Sequence, residues 1–277
     1  MDRAVEAAAT PPVGFGVKLR PLGFAVLRML ERSVPILVLL ALWEAATRFG
    51  MVQVFLLPPF SRVVMRFFAD FVSGVIPHFI LETTITALSG YFLAAIFGVI
   101  LGAGMAVSRS VRYFMEPLVS LAFPIPKISF MPIFILWFGL DSLPTIMMIS
   151  FNCIIPIISA TYLGARSIDK YILWSARSLG TPAHKLFWKI VVPAAAPQVI
   201  SGLQIALPQA LIIGIVAEML TGGDGLGSYM IRGVRFSDSE TAFAGILAML
   251  FTGLVYMQVA VMLRRRLLRW HAEASAQ

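Results

Sequence analysis

Five stretches of this sequence run for about the length of a membrane-crossing helix with at most one charged side chain. They are Thr84–Val107, Leu118–Gly139, Leu143–Leu163, Gln198–Leu220 and Thr241–Leu263. A helix rising 1.5 Å per residue crosses the roughly 30 Å hydrocarbon core in about 20 residues. Inside lipid every backbone N–H and C=O must be satisfied within the segment, so such runs fold as helices. A sixth stretch, Ser33–Phe49, is shorter, holds Glu44 and Arg48, and carries Pro35 where a first helical turn tolerates it. The expectation is an all-α membrane protein with about six transmembrane helices in one domain over residues 33–263, flanked by tails 1–32 and 264–277.

Composition agrees: 59% of residues are hydrophobic and 13% charged, against about 25% charged in soluble domains. The single cysteine, Cys153, excludes an intramolecular disulfide and a cysteine-based metal cluster, and His78, His184 and His271 show no ligand spacing. The net charge of +8 does not call for a nucleic-acid partner. Lys and Arg concentrate in alternate connections: Arg28 and Arg32, Arg109 and Arg112, Arg166 to Lys189, and Arg264 to Arg266 with Arg269. By the positive-inside rule that bias puts both termini in the cytoplasm with an even number of spans. No small-residue cleavage site follows the first run, so it reads as an uncleaved anchor, and residues 1–20 as a mobile tail.

Between the first two runs, Arg62, Arg66 and Asp70 share one face of a helix and Val63, Val64, Phe67, Phe68 and Phe71 the other, as expected for an interfacial amphipathic helix. Gly98 and Gly102 form a small-xxx-small pair that permits close helix approach. Pro124, Pro126 and Pro132 predict a broken third span, Pro156 a kink in the fourth. Ser108–Pro117 is expected as a short polar connection, and Thr221–Glu240 as a Gly-rich, flexible one.

The connection Gly164–Pro197 is the distinctive one. Gly180 suits a left-handed helix end, Thr181 an N-cap and Pro182 a first helical position. Leu186, Phe187, Ile190 and Val191 then fall on one face, with Lys185 and Lys189 on another, and Pro193 and Pro197 are expected to stop the helix before the fifth span. Helix, turn, helix makes a compact knob fit for a groove on a partner protein. A basic amphipathic helix lying on anionic lipid satisfies the same pattern.

Gly180, nine residues, then Ile190-Val191-Val192-Pro193 resembles the coupling loop of ABC-importer permeases, whose pattern is E-A-A, three residues, G, nine residues, I-x-L-P. Ala122-Phe123-Pro124-Ile125-Pro126-Lys127 with Pro132 to Gly139 resembles the PIPK…P-x-FILWFG run of the sulfonate, taurine and nitrate branch. Ala217-Glu218-Met219-Leu220 with Gly225-Leu226-Gly227 resembles that branch's AEM…GLG run. The likeness extends from about Trp43 to Leu263. The family's loop Glu and first Ala fall here on Trp174 and Ser175, and its Leu on Val192.

The resemblance implies the type I importer-permease (MetI-like) fold and a bacterial inner-membrane homodimer. It implies two separate ATPase subunits that bind the ATP and Mg, and an extracytoplasmic binding protein. It assigns ATPase coupling to Ser175, Ala176, Gly180, Thr181, Pro182, His184, Lys185, Leu186, Phe187, Ile190 and Pro193, with a coupling helix between spans four and five. It points to a small anionic solute, with a heterocyclic vitamin precursor as the alternative.

Three further places invite a role. Lys127 lies deep in the third span, where an ionisable side chain faces a watery path or finds a partner; it either attracts an anionic solute or snorkels. Glu218, near the outer end of the fifth span, is a gate candidate or a carboxylate satisfied by a nearby Arg or backbone. Asp224 and Gly225 are candidate contacts for the binding protein. The Gly222–Gly227 run lacks the Lys-Ser/Thr of a phosphate loop, and no Walker, H-E-x-x-H or G-x-S-x-G motif occurs, which leaves a membrane enzyme without a reactive constellation. An ion-coupled carrier would need acidic residues at mid-depth, and Glu44 and Glu218 lie near span ends.

Overall fold

A computed structural model describes residues 22–268; the expected tails at 1–20 and from 269 onward, with Arg269 and His271, lie outside them. Helix α1 is Leu22–Arg48, α2 Phe60–Val72, α3 Val75–Val107 and α4 Arg109–Ala122. After a bend come a 3-10 turn, Lys127–Phe130, and α5, Met131–Phe138. Helix α6 is Ser142–Arg166, α7 Lys170–Ser178 and α8 Ala183–Leu186; a π turn, Phe187–Val191, leads into α9, Val192–Thr221. Helices α10, Leu226–Arg235, and α11, Ser239–Leu267, complete the chain.

Helices α3, α6, α11 and the continuous His184–Thr221 stretch are each long and apolar enough to cross a membrane, and α4 and Lys127–Phe138 meet the same length and hydropathy only when taken together across their bend. Helix α1, expected as the short first span, is not among the helices that meet this length and hydropathy; it begins at Leu22, inside the stretch expected as a tail, which leaves Pro35 inside the helix rather than in its first turn. Its uncharged part runs only from Ser33 to Trp43.

Helix α6 is the centre, packed on α3 along one side and α9 along the other. The glycines of α3 make the first contact possible. A Cβ on Gly90 would lie 2.7 Å from the Ile146 carbonyl, on Gly98 2.8 Å from Ile157, and on Gly102 2.6 Å from Thr161. Without those side chains Ala94, Ile149, Cys153, Ile157, Ala206 and Ala210 close into one buried cluster. In lipid such close packing, not water exclusion, drives helix association. The outward faces of α3 and α11 stay apolar and exposed, including Phe92, Ile96, Leu250 and Leu254, as befits contact with acyl chains.

Three local expectations need correction, and a fourth, the broken third span, holds except at Pro132. Ser108–Pro117 is not a loose connection: the Ser108 hydroxyl accepts from the Val111 N–H and caps α4. The third span breaks by 97° between Ala122 and Lys127, at Pro124 and Pro126, while Pro132 sits harmlessly in the first turn of α5. Pro193 and Pro197 do not stop the helix. The π turn Phe187–Val191 lengthens the hydrogen-bond register just before Pro193, which then occupies a first-turn position where no N–H is needed; Pro197 follows inside α9. The Gly-rich connection after Thr221 is packed rather than flexible: it contains α10, with Leu226, Gly227, Ser228 and Tyr229 buried.

The interfacial helix α2 is anchored by polar contacts. Glu44 is more than half of an i, i+4 pair: it holds Arg48 at 2.6 Å and also accepts from the Ser61 N–H (3.1 Å) and hydroxyl (2.8 Å), tying α1 to the start of α2. Arg66 pairs with Asp70 at 2.8 Å, and the Tyr229 hydroxyl donates to Asp70 at 2.5 Å. The Asp70 hydrogen bond holds the Arg66 guanidinium above its ordinary pKa; burial, then Asp70, pushes the Tyr229 phenol up.

Asp238 caps α11, accepting from the Thr241 N–H (3.1 Å) and hydroxyl (2.5 Å), with Arg66 at 3.8 Å. Burial acts to raise its carboxyl, but the Thr241 hydrogen bonds and the Arg66 charge outweigh it and leave the pKa lowered. A depressed folded pKa stabilises above the unfolded value of about 4 and is lost as pH falls through the folded value. Wild-type thermal stability in detergent is therefore expected to drop on acidification below about pH 4 more steeply than that of Asp238→Asn, which keeps a cap but no titrating charge. Parallel curves for the two proteins would remove Asp238 as the cause.

Candidate functional site

Three places carry polar or exposed groups that packing alone does not demand. The first is the knob between α6 and α9. Asp169 caps α7 by accepting from the Tyr171 N–H at 2.8 Å. Helix α7 ends in a Schellman turn: Gly180 has φ +76°, its N–H donates to the Arg177 carbonyl at 2.9 Å, and the Thr181 N–H donates to Ala176 at 3.1 Å. Nothing lies within 4 Å of a Cβ built on Gly180, so the glycine serves the backbone conformation rather than space. Pro182 opens the second helix, its carbonyl accepting from the Leu186 N–H at 3.0 Å; no side-chain cap by Thr181 occurs among the described contacts.

Beyond the turn Leu186 is buried and Phe187 and Ile190 half-buried, whereas His184, Lys185, Trp188 and Lys189 are exposed, as the face pattern predicts. Tyr171, Trp174, Leu179 and Trp188 are also exposed, Leu179 at 86% and Trp188 at 67%. Ser175 lies in α7 with Ala176. Pro193 does not end the knob but sits in the first turn of α9. The knob thus presents aromatic and apolar groups among Lys185, Lys189 and Arg177, the mix that anchors protein interfaces.

The second place is the junction of α3, α9 and α10. Glu218 is buried, and no Arg satisfies it among the described contacts. Its carboxylate accepts from the Thr83 hydroxyl and the Gly227 N–H, each at 3.0 Å. Thr83 in turn accepts from the Leu226 N–H at 2.8 Å, and the Ser228 hydroxyl donates to the Glu218 carbonyl at 2.9 Å. A carboxylate at the first N–H groups of α10 suits the positive end of that helix. Gly225 has to be glycine, since a Cβ there would overlap the Glu218 carboxyl group, and Gly227 because one would overlap the Ile215 carbonyl. Asp224 is exposed and pairs with Arg232 at 3.3 Å. Beside this junction lies a cavity of about 280 Å³ bordered by Glu82, Asp141, Thr145, Glu218 and Asp224.

The third place is a cavity of about 340 Å³ between the 97° bend, α6 and α9. Lys127 lines it, at the start of the 3-10 turn, together with Asn152 from α6 and Gln209 from α9. Sequence reading passed over Asn152, Gln209 and Thr83. A neutral polar residue in an apolar run carries little signal singly, although the seven-residue step Thr145, Asn152, Ser159 marks one face of α6.

Comparison with known proteins agrees with this architecture. The family model described as "Binding-protein-dependent transport system inner membrane component" matches residues 94–269. A Bacillus subtilis protein named as an aliphatic sulfonates transport permease is 29% identical over 84% of this chain and 84% of its own length. The taurine transport permease of Escherichia coli is 24% identical over 85% and 88%. The formylaminopyrimidine transport permease of Halalkalibacterium halodurans is 30% identical over 87% and 96%. The fold is similar to a chain of the MetNI methionine ABC transporter, with TM-score 0.60, 14% identity, and coverage of 71% of this chain and 98% of that one. It is similar also to a chain of an amino acid ABC transporter, with TM-score 0.55 and 16% identity. On the strength of the family match and of these relatives, the chain belongs to the inner-membrane permease components of binding-protein-dependent ABC importers.

Proposed function

We propose that this chain, as a homodimer, forms the pathway of an ATP-driven importer for a small organic or inorganic anion such as a sulfonate, taurine or nitrate. Two separate ATPase subunits bind ATP and Mg and hydrolyse the ATP, and an extracytoplasmic binding protein delivers the solute. Both termini and the Gly180 knob face the cytoplasm, a placement supported by the Lys and Arg bias of alternate connections. The observation that carries the reading is the knob itself: a rigid Schellman turn followed by a helix that is continuous with span α9. A push on Leu179 or Trp188 is transmitted through the π turn to a helix that packs along the central α6. ATP-driven closure of the ATPases would then rock α9 against α6 and exchange inward- and outward-facing states, with solute bound differently in each. Ser175, Ala176, Thr181, Pro182, His184, Lys185, Phe187 and Ile190 shape the seat. Trp174, in place of the family's Glu, leaves that seat apolar rather than ion-paired.

The test is substitution at Gly180. Leu or Val there is expected to abolish most of the ATPase stimulation by the loaded binding protein, because a left-handed conformation costs these residues about 1–2 kcal/mol and the turn reshapes to avoid it. Gly180→Asn, which enters that conformation more readily, is expected to keep much of it. Equal stimulation in the Val and wild-type complexes would overturn the assignment.

The relative named for formylaminopyrimidine, at 30% identity, favours a heterocyclic vitamin precursor as the second reading of the cargo. Competition between such a pyrimidine and taurine for uptake decides between them.

A further inference from the structure

Thr145, Asn152 and Ser159 follow one another at seven-residue steps down α6, two helical turns apart and therefore one above the next. Each lines a different cavity. Thr145 faces the acidic cavity by Glu218, and Asn152 the cavity with Lys127 and Gln209. Ser159 faces a third, of about 290 Å³, with Glu116, Ser120 and Tyr162. The Ser159 hydroxyl also bonds back to the Ile155 carbonyl at 3.0 Å, so the middle residue, Asn152, is the one whose amide is left to face its cavity. Phe123 borders both the middle and the third cavity, so these two adjoin.

We propose that this face of α6 lines the solute pathway and that the middle cavity is its selectivity subsite, taking an oxyanion headgroup: sulfonate, nitrate or carboxylate. Lys127 is the one charged group among the described residues that border it, and no carboxylate lies within 4 Å of that ammonium among the described ion pairs. Asn152 and Gln209 add amide N–H donors from two different spans, so one oxyanion can be met from three sides. The remaining wall, Phe123, Ile155, Pro156, Ile212 and Ile213, is apolar, which strengthens the charge–charge attraction and suits a short alkyl tail. The neighbouring cavities carry carboxylates, Glu116 on one side and Glu82, Asp141, Glu218 and Asp224 on the other. An anion is therefore attracted at the middle station and not in the adjoining cavity, where Glu116 repels it.

The inference rests on the import reading above, and its test separates the two. The native assembly with its ATPase and binding protein is reconstituted in liposomes, and ATP-dependent uptake of radiolabelled taurine, ethanesulfonate and nitrate is followed. Lys127→Gln is expected to raise the uptake KM or lower the rate by about tenfold or more, the size of one lost charge-assisted hydrogen bond. Lys127→Arg is expected to recover a large part, and Asn152→Leu and Gln209→Leu each to lose several-fold. Size-exclusion chromatography with ATPase subunits still bound shows that each variant assembles. Wild-type uptake of these anions by Lys127→Gln and by the Asn152→Leu/Gln209→Leu double variant overturns the subsite and leaves the importer reading intact. ATP-dependent uptake of a neutral pyrimidine but of no oxyanion does the same. An assembly without an ATPase would sink the importer reading itself.

Discussion

Leucine in place of Gly102 is expected to leave little folded permease to purify. The Cβ alone would sit 2.6 Å from the Thr161 Cβ and 2.7 Å from the Ile158 carbonyl, and the second of these is backbone that cannot rotate aside. Relief requires α3 and α6 to separate along their whole contact, which undoes the cluster around Ile158 and Tyr162 as well as that around Ile149 and Cys153. Overpacking in a close-packed interior costs about 1–3 kcal/mol and often more where rigid elements must move. Gly98→Leu meets Ile157 in the same way and is expected to act in the same direction. Gly104 supplies the control, since the nearest atom to a Cβ there is the Val111 methyl at 3.6 Å. Its leucine variant is expected to behave nearly as wild type. Monodisperse yield and apparent Tm in one detergent measure all three; if Gly102→Leu matches Gly104→Leu, the close α3–α6 approach is not what holds the bundle.

Glu218→Ala is expected to show the second largest effect. It strips the acceptor from the buried Gly227 N–H and from the Thr83 hydroxyl, and each polar group left unpaired costs on the order of 1–3 kcal/mol. It also opens space beside Gly225 where the carboxyl group now fits. Glu218→Gln keeps an acceptor oxygen at similar volume and is expected to lose much less. Thr83→Val breaks both ends of the same chain, so the Thr83→Val/Glu218→Ala pair is expected to be clearly less than additive. Hydrogen exchange at the α10 amides should speed up in the alanine variant before the core of α6 is touched, because Glu218 is what fastens the start of α10. Unchanged exchange there would mean that α10 is held by its apolar face, through Leu226 and Tyr229, alone.

The same residues show where sequence is informative and where it stops. Gly98 and Gly102 were visible as a close-approach pair because small residues four apart can serve little else on an apolar helix. Gly180 was visible because only a few backbone conformations end a helix, and the alternation of Leu186 and Ile190 with Lys185 and Lys189 then displayed its faces. Pro193 misled, since proline stops a helix only when the preceding register demands its missing N–H, and the π turn removes that demand. The glycines from Gly222 to Gly227 misled in the opposite sense. Composition reads them as slack, but the missing side chains of Gly225 and Gly227 are what let Glu218 and the Ile215 carbonyl approach.

By itself, then, the sequence determined the membrane class, the order of the long apolar helices, the charged edges and the knob, all of which are local. Bilayer thickness and helix periodicity act on consecutive residues, so their imprint lies along the chain. Tertiary structure alone decided that Thr83 should meet a carboxylate 135 positions away, that the break near Pro124 should turn the chain by 97°, and that Lys127 should share a cavity with Asn152 and Gln209. Polar groups buried among apolar helices take whichever partners packing brings within about 3 Å, and neither hydropathy nor spacing records that choice.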